Sequence, residues 1–328
     1  MRSAEQGAVL TVKDLRTVIS LDGRERPIVD EVSFELFPKQ TLGLIGESGS
    51  GKTMTALSLL RLIAPPMKIT GGQIIYRDRD LAGLPMGAMR ELRGSGLAMI
   101  FQNPRDRFDP LLTISKQIIE VLLCHHVCTS RRDATRRALE LLDEVKVPAA
   151  GNVMHMYPNE LSGGMLQRVM IGIAIAASPD ILIADEPTSS LDVTVQAEVL
   201  DLLMEVQRLH HMSMIFITHD IAVARQMADQ VAVMYAAQII EMGDASEVLV
   251  RPRHPYTQAL LAALPTTVDG DVQAVRNGAT KEAGMPSGCR FGSRCGKAKL
   301  HGKALQPPPL VEDEHGMVRC WLYEQTAR

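Results

Sequence analysis

Residues 46–53 read Gly46-Glu47-Ser48-Gly49-Ser50-Gly51-Lys52-Thr53, a glycine, four residues, then Gly-Lys-Thr. That spacing suits a loop that wraps phosphate groups with its backbone N–H groups. Gly46, Gly49 and Gly51 let the chain curl tightly, so that the N–H groups of the loop and of Met54 after it face inward. Lys52 is placed to reach the β- and γ-phosphates of a nucleotide, and Thr53 to offer its hydroxyl to Mg²⁺. The apolar run Thr41 to Ile45 reads as a buried strand before the loop. Met54 to Ile63 reads as a helix after it, whose positive N-terminal end lies where phosphates would sit. Without that context the string would be only a glycine-rich turn with a surface lysine.

Three further strings end strands in polar side chains. Ile181 to Ala184 form an unbroken apolar run followed by Asp185, Glu186 and Pro187. Such a run reads as a central parallel strand, and ligands collect at the C-terminal ends of these strands. Asp185 suits Mg²⁺, directly or through water, and Glu186 beside it suits the polarising of an attacking water. Ile215 to Ile217 form a second run, ending in Thr218, His219 and Asp220. His219 is a candidate for contacting a γ-phosphate and for holding Glu186 and the water in line. Leu97 to Phe101 form a third run, ending in Gln102, a candidate for Mg²⁺, for the water and for a docking groove.

Leu161-Ser162-Gly163-Gly164, with MLQR after it, adds a second anion site. Ser162 reads as the N-cap of a helix over Met165 to Ala177, and a Ser-Gly-Gly helix start presents free N–H groups. One chain with two anion sites suggests that the second serves a nucleotide held by another subunit. Taken together, these strings resemble those of the ATP-binding-cassette ATPases over about residues 8–250. The resemblance implies an α/β fold: a RecA-like parallel sheet carrying the phosphate loop, an N-terminal antiparallel β subdomain and a helical subdomain. It implies ATP and Mg²⁺, with Ser162, Gly163 and Gly164 acting in trans. It also implies that Ser189-Ser190-Leu191-Asp192 is the loop that crosses the dimer contact.

Two longer stretches narrow the resemblance. FQNPRDRFDPLLTI at 101–114 is similar to the segment after the Gln loop in the ATPases of oligopeptide, dipeptide and nickel importers. RPRHPYTQALLAALP at 251–265 and GCRFGSRC at 288–295 are similar to the C-terminal extension of the same group. The division implied is 1–250, a nucleotide-binding domain with its helical part at about 103–165, and 251–328, the extension. The function implied is an ATPase subunit energising an importer, for di- or oligopeptides ahead of nickel or another small solute. Its partners would be a second ATPase subunit, similar or identical, two membrane permeases and, indirectly, an extracytoplasmic solute-binding protein. Its place would be peripheral, on the cytoplasmic face of the inner membrane.

Composition agrees with that class. The 328 residues carry a net charge of −3, which gives no general drive toward nucleic acid. No apolar run approaches the roughly 20 residues that cross a bilayer, and the N-terminal segment lacks the apolar stretch of a signal peptide. A soluble cassette ATPase acting on DNA or ribosomes is the distant alternative. No long heptad array separates Lys52 from Ser162, and only one cassette is present. A phosphate-loop kinase or switch would have no use for LSGGMLQR. The 18 methionines, against 6 Phe, 5 Tyr and 1 Trp, read as filling for irregular core space.

Two features depart from the family pattern. The place of the usual adenine-stacking aromatic falls near Ile19, with no aromatic from Thr11 to Val32, leaving apolar contact or stacking by Arg24 or Arg26. Related tails often hold four cysteines, some around an iron–sulfur cluster. Here there are Cys289, Cys295 and Cys320, with His301 near the missing position. An iron–sulfur cluster, a zinc site of three Cys and His301, and free thiols all remain open. Cys124 and Cys128, in CHHVC, read as helix-flanking residues, because four ligands in five positions do not converge easily on one ion.

Residues 8–40 read as short antiparallel strands with a turn at LDGRERP, and Gly71-Gly72 as another turn. Residues 110–160 read as helical, including 130–145, and 178–250 as alternating strands and helices. Beyond them, Pro252, Pro255 and Pro265 punctuate a short helix, and a loop follows.

Overall fold

The structure, a computed structural model, describes residues 7–262, 288–298 and 306–326. The first elements are β1 (Leu10–Leu21), β2 (Arg24–Leu36), β3 (Thr41–Ile45), α1 (Lys52–Leu59), β4 (Met67–Tyr76) and β5 (Arg79–Asp80). Then come α2 (Met86–Ser95), β6 (Leu97–Ile100), α3 (Ile114–Cys124), α4 (Arg131–Glu144), α5 (Ala150–Val153) and α6 (Gly163–Ile175). They are followed by β7 (Ile181–Asp185), α7 (Val193–His210), β8 (Ser213–Thr218), α8 (Ile221–Met227), β9 (Gln230–Tyr235) and β10 (Gln238–Asp244). The last are α9 (Ala245–Val248), α10 (Pro255–Ala262), β11 (Leu310–Asp313) and β12 (Gly316–Arg319).

The chain packs as two compact units. One comprises residues 36–40 and 83–216 with the described residues before 10. The other comprises 10–35, 41–82 and the described residues from 217 onward. In the first, strands lie in the order β8-β7-β6, and β6 pairs β7 in parallel from Leu97↔Ile181 to Ile100↔Ala184. Every residue of β7 is buried, as a strand covered on both faces requires. The region expected to be helical is α3, α4 and α5, with α4 packed on α3 and α6. Ser130 caps α4 by accepting from the Asp133 N–H at 3.1 Å.

In the second unit, an antiparallel sheet runs β2-β1-β4-β5. The expected short strands are instead two long ones of 12 and 13 residues. Asp22 and Gly23, with φ of 51° and 74°, form a tight turn whose twist matches that of the strands, so pairing continues up to it. Gly71-Gly72 is a correction: it lies inside β4, where the register against β1 shifts between Lys13 and Thr17. A Cβ on Gly72 would stand 2.5 Å from the Asp14 carbonyl oxygen, so this glycine permits a bulge. Helix α1 starts two residues earlier than expected and stops four earlier. Arg61 adopts a φ of 50° and Leu62 N–H closes on the Leu57 carbonyl at 2.8 Å, a capped C-terminus.

The other sheet of this unit has the order β11-β12-β10-β9-β3. β3 and β9 are parallel; the remaining pairs are antiparallel. Tyr256 and Phe291 are buried against Ile45, Val233 and Ile240. Burial of two such rings contributes about 1.5–3 kcal/mol each, enough to hold these C-terminal residues to the sheet. Polar ties add direction. The buried Glu241 carboxylate accepts from the N–H groups of Arg253 and His254, at 2.6 and 3.0 Å. Arg253 forks onto Asp313, both bonds 2.7 Å, under the ring of Tyr323. The methionines flagged by composition fill space: Met154, Met170, Met212, Met214 and Met234 are all buried.

His254 is buried, and Nδ1 accepts from the Tyr256 N–H at 3.0 Å. Burial pulls its pKa from the usual 6.5 to about 3, so the folded chain keeps it neutral. A base held neutral by folding stabilises fully above its unfolded pKa, and that stability is lost as pH falls toward the folded value. Urea unfolding of the full chain should therefore weaken between pH 6.5 and about 3. His254→Asn, which keeps an acceptor and does not titrate, should flatten that slope; an identical slope would contradict the assignment.

Candidate functional site

The loop after β3 has the expected curl. Gly46, Gly49 and Gly51 all have positive φ, at 149°, 79° and 111°. A Cβ on Gly46 would lie 2.2 Å from the Met234 carbonyl oxygen, and one on Gly51 2.6 Å from that of Ile28, so neither position admits a side chain. Lys52 is 5% exposed, and its ammonium turns back into the loop, donating to the carbonyls of Gly46 at 2.8 Å and Glu47 at 3.0 Å. Ser50 Oγ is buried there without a hydrogen-bond partner. A buried hydroxyl with no partner, inside a loop rich in inward N–H groups, fits an oxyanion ligand. Thr53 is exposed at the start of α1, and Met54 is half-buried. Ser48 and Gly49 are exposed on the open side of the loop.

The strand register explains the next pair. Ile100 lies beside Ala184, so residues two further along each strand meet. Gln102 Nε2 donates to Glu186 Oε2 at 2.8 Å. Glu186 has a φ of 45°, a left-handed conformation that costs a non-glycine residue about 1–2 kcal/mol. Strain of this kind is held where it re-aims a side chain, here a carboxylate just past the strand end. Asp185, one residue before, is 3% exposed at the last position of β7.

The Ser-Gly-Gly string begins α6 as expected, with Ser162 Oγ accepting from the Met165 N–H at 3.3 Å. Asp192 caps α7 by accepting from the Val195 N–H at 3.0 Å. The structure brings these two helix starts together. A Cβ on Gly164 would stand 2.6 Å from Val195 Cγ1, and one on Gly163 3.6 Å from Leu191 Cδ2. Ser162 and Asp192 are both exposed beside this contact. His219 is exposed directly after β8, and Asp220 caps α8 through the N–H groups of Ala222 and Val223. Ile19, at the place of the missing aromatic, is half-buried in β1 opposite Met67.

Comparison with known proteins decides the family. A model described as "ABC transporter" matches residues 29–189. One described as "Oligopeptide/dipeptide transporter, C-terminal region" matches residues 240–301. A peptide import ATP-binding protein of Brucella abortus is 43% identical over 322 residues, covering 97% of this chain and 96% of its own. One from Brucella ovis is 42% identical over 335 residues, covering 97% and 98%. The chain belongs to the ATP-binding-cassette ATPases. Solved cassettes share the fold. One is a dimer in a post-hydrolysis state with ADP and Pi: TM-score 0.65, 23% identity, covering 72% of this chain and 98% of that one. Another is a Clostridium perfringens component of the cbiONQ ABC transporter complex: TM-score 0.62, 21% identity, covering 75% and 92%.

Three of the five cysteines of this cassette ATPase, Cys289, Cys295 and Cys320, lie in its tail. Burial pushes Cys320 up to about 11, and the nearby Cys289 and Cys295 add to the rise; burial also raises Cys289. Among the described residues no group of three His, Cys, Asp or Glu is arranged to hold a metal, and His301 lies outside them. Cys124 ends α3 and Cys128 lies just beyond the turn that follows it, flanking a helix end as expected.

The cassette contains two site neighbours that the motif strings do not reveal. Tyr256 and Arg294 both contact Glu47, across 209 and 247 residues of chain. The stretches at 251–265 and 288–295 stand out in the sequence, but nothing local shows what they touch.

Gly164→Ala tests the close contact of α6 with α7. Val195 is β-branched and stiff, so the added methyl must displace backbone or side chain at a cost of about 1–3 kcal/mol. Urea unfolding of the full chain should show that loss; an unchanged midpoint would mean the helices move apart freely.

Proposed function

We propose that this chain is the ATP-hydrolysing subunit of a peptide importer, working as one of two cassettes on a pair of membrane permeases. The observation that carries this reading is the likeness to peptide import ATP-binding proteins over 97% of the chain. The match of the C-terminal region at 240–301 supports it. No helix among the described residues is long and apolar enough to cross a membrane; in this reading the permeases hold the chain at the cytoplasmic face of the inner membrane. An extracytoplasmic solute-binding protein delivers the peptide. Residues 1–250 act as the nucleotide-binding domain, with its helical part at about 103–165, and 251–328 as an extension.

In this reading the stretch Gly46 to Met54 wraps the phosphates of ATP, with the N–H of Glu47 held by Tyr256 and that of Ser50 by the Glu47 carbonyl, and Lys52 leaves its loop carbonyls to meet the phosphates. Thr53, Asp185 and Gln102 offer hydroxyl, carboxylate and amide oxygens, a hard donor set that suits Mg²⁺. Bound with ATP, Mg²⁺ neutralises charge on the phosphates. Glu186 accepts from Gln102 and orients the attacking water, and His219 faces the γ-phosphate. Ser162, Gly163 and Gly164 serve the nucleotide of the facing subunit, with Asp192 at the crossing loop beside them.

Three measurements test this. Affinity purification of the chain from native membranes should recover two permeases and a second cassette ATPase; recovery of only ribosomal proteins or nucleic acid would overturn the transport role. Glu186→Gln should keep ATP binding and lower turnover by about a hundredfold or more, trapping an ATP-bound pair. Undiminished hydrolysis in that variant would remove Glu186 from the chemistry. Ser162→Arg in one subunit should disable the site of its neighbour rather than its own.

A further inference from the structure

Glu47, the second residue of the phosphate loop, is engaged through every polar group it has. Its N–H donates to Tyr256 Oη at 2.9 Å. Its carbonyl accepts from the Ser50 N–H at 3.2 Å and from Lys52 Nζ at 3.0 Å. Its carboxylate receives both arms of the Arg294 guanidinium, each bond 3.0 Å. Tyr256 and Arg294 share one aromatic floor. The Tyr256 ring lies 4.6 Å from that of Tyr235 and 5.6 Å from that of Phe291. The Arg294 guanidinium lies 5.7 Å from the centroids of Tyr235 and Phe291. The turn that presents Arg294 is itself braced. Gly292 N–H donates to the Cys289 carbonyl at 2.9 Å, Arg294 N–H to that of Phe291 at 3.0 Å, and Arg290 pairs with Asp30.

These contacts matter when ATP arrives. Lys52 supports the loop from inside by holding the carbonyls of Gly46 and Glu47. An ammonium that turns to phosphate gives up those bonds. The loop then depends on supports outside it, and a loop kept in its binding shape binds more tightly because less ordering is left to do. Tyr256 and Arg294 supply that support without occupying the phosphate position, since one takes the N–H and the other the side chain of Glu47.

We propose that Tyr256 and Arg294 are positioning residues for ATP: they hold Glu47 so that the loop stays curled while Lys52 passes from its carbonyls to the phosphates. The proposal rests on the assignment of residues 46–53 as the ATP site. It gives the C-terminal extension a direct part in nucleotide affinity.

The test is a titration of the full-length chain with a fluorescent ATP analogue and Mg²⁺, together with steady-state turnover. Arg294→Ala should raise Kd and KM for ATP about three- to tenfold, the effect falling on KM rather than kcat, and Arg294→Lys should recover part of it. Tyr256→Phe, which keeps the ring and removes only the hydroxyl, should raise Kd about two- to fivefold. Glu47→Gln added to Arg294→Ala should cost less than it does alone, because the pair acts as a unit. A purely structural role would lower Tm and the active fraction and leave KM unmoved. Unchanged Kd and KM in both Arg294→Ala and Tyr256→Phe would overturn the proposal while leaving the ATP site standing. A wild-type chain that binds no ATP would overturn both.

Discussion

A phosphate loop sets a conflict that the rest of the second unit resolves. Its value lies in N–H groups crowded into one tight curl, where they repel one another; Tyr256 takes that of Glu47 and the Glu47 carbonyl that of Ser50. The chain must adopt positive φ at Gly46, Gly49 and Gly51, and backbone from Ile28 and Met234 closes against two of them. Lys52 ties the loop from inside by binding its carbonyls, and Tyr256 and Arg294 fix it from outside. The buried strands β3 and β9, and the aromatic floor of Tyr235, Tyr256 and Phe291, are what those anchors stand on.

The C-terminal anchors are in turn placed by buried polar groups. Burial raises the pKa of Glu241 against the hydrogen bonds it receives from the N–H groups of Arg253 and His254. A carboxylate in that position is costly when unpaired, so its pairing with two N–H groups ahead of α10 specifies where the helix begins. His254 then passes the constraint to Tyr256 through its N–H bond. Position along this path is fixed by directional bonds, while most of its stabilisation comes from the apolar rings.

Much of this was legible in the sequence because it is local. The apolar run Thr41 to Ile45, the cap Ser162 and the glycine spacing of the phosphate loop each carry their cause within a few residues. The pairing of Gln102 with Glu186 follows once β6 and β7 are laid side by side. What escaped is set by distant partners. Gly71-Gly72 has the composition of a turn, yet its conformation answers to Asp14 and Leu15 on the neighbouring strand. The bonds from Glu47 to Tyr256 and Arg294 depend on how residues beyond 250 return to the sheet, which no local pattern encodes. The contact of Gly164 with Val195 is of the same kind, because it depends on how two helix starts meet.

The account stands on residues 46–53 holding the phosphates of ATP. The most direct measurement is calorimetric titration of the full-length chain with MgATP, for wild type and for Lys52→Ala. The account predicts saturable binding by the wild type and a loss of about tenfold or more in affinity when the ammonium that meets the phosphates is removed. Equal affinity in the two chains would contradict it, because the nucleotide would then be held somewhere other than this loop.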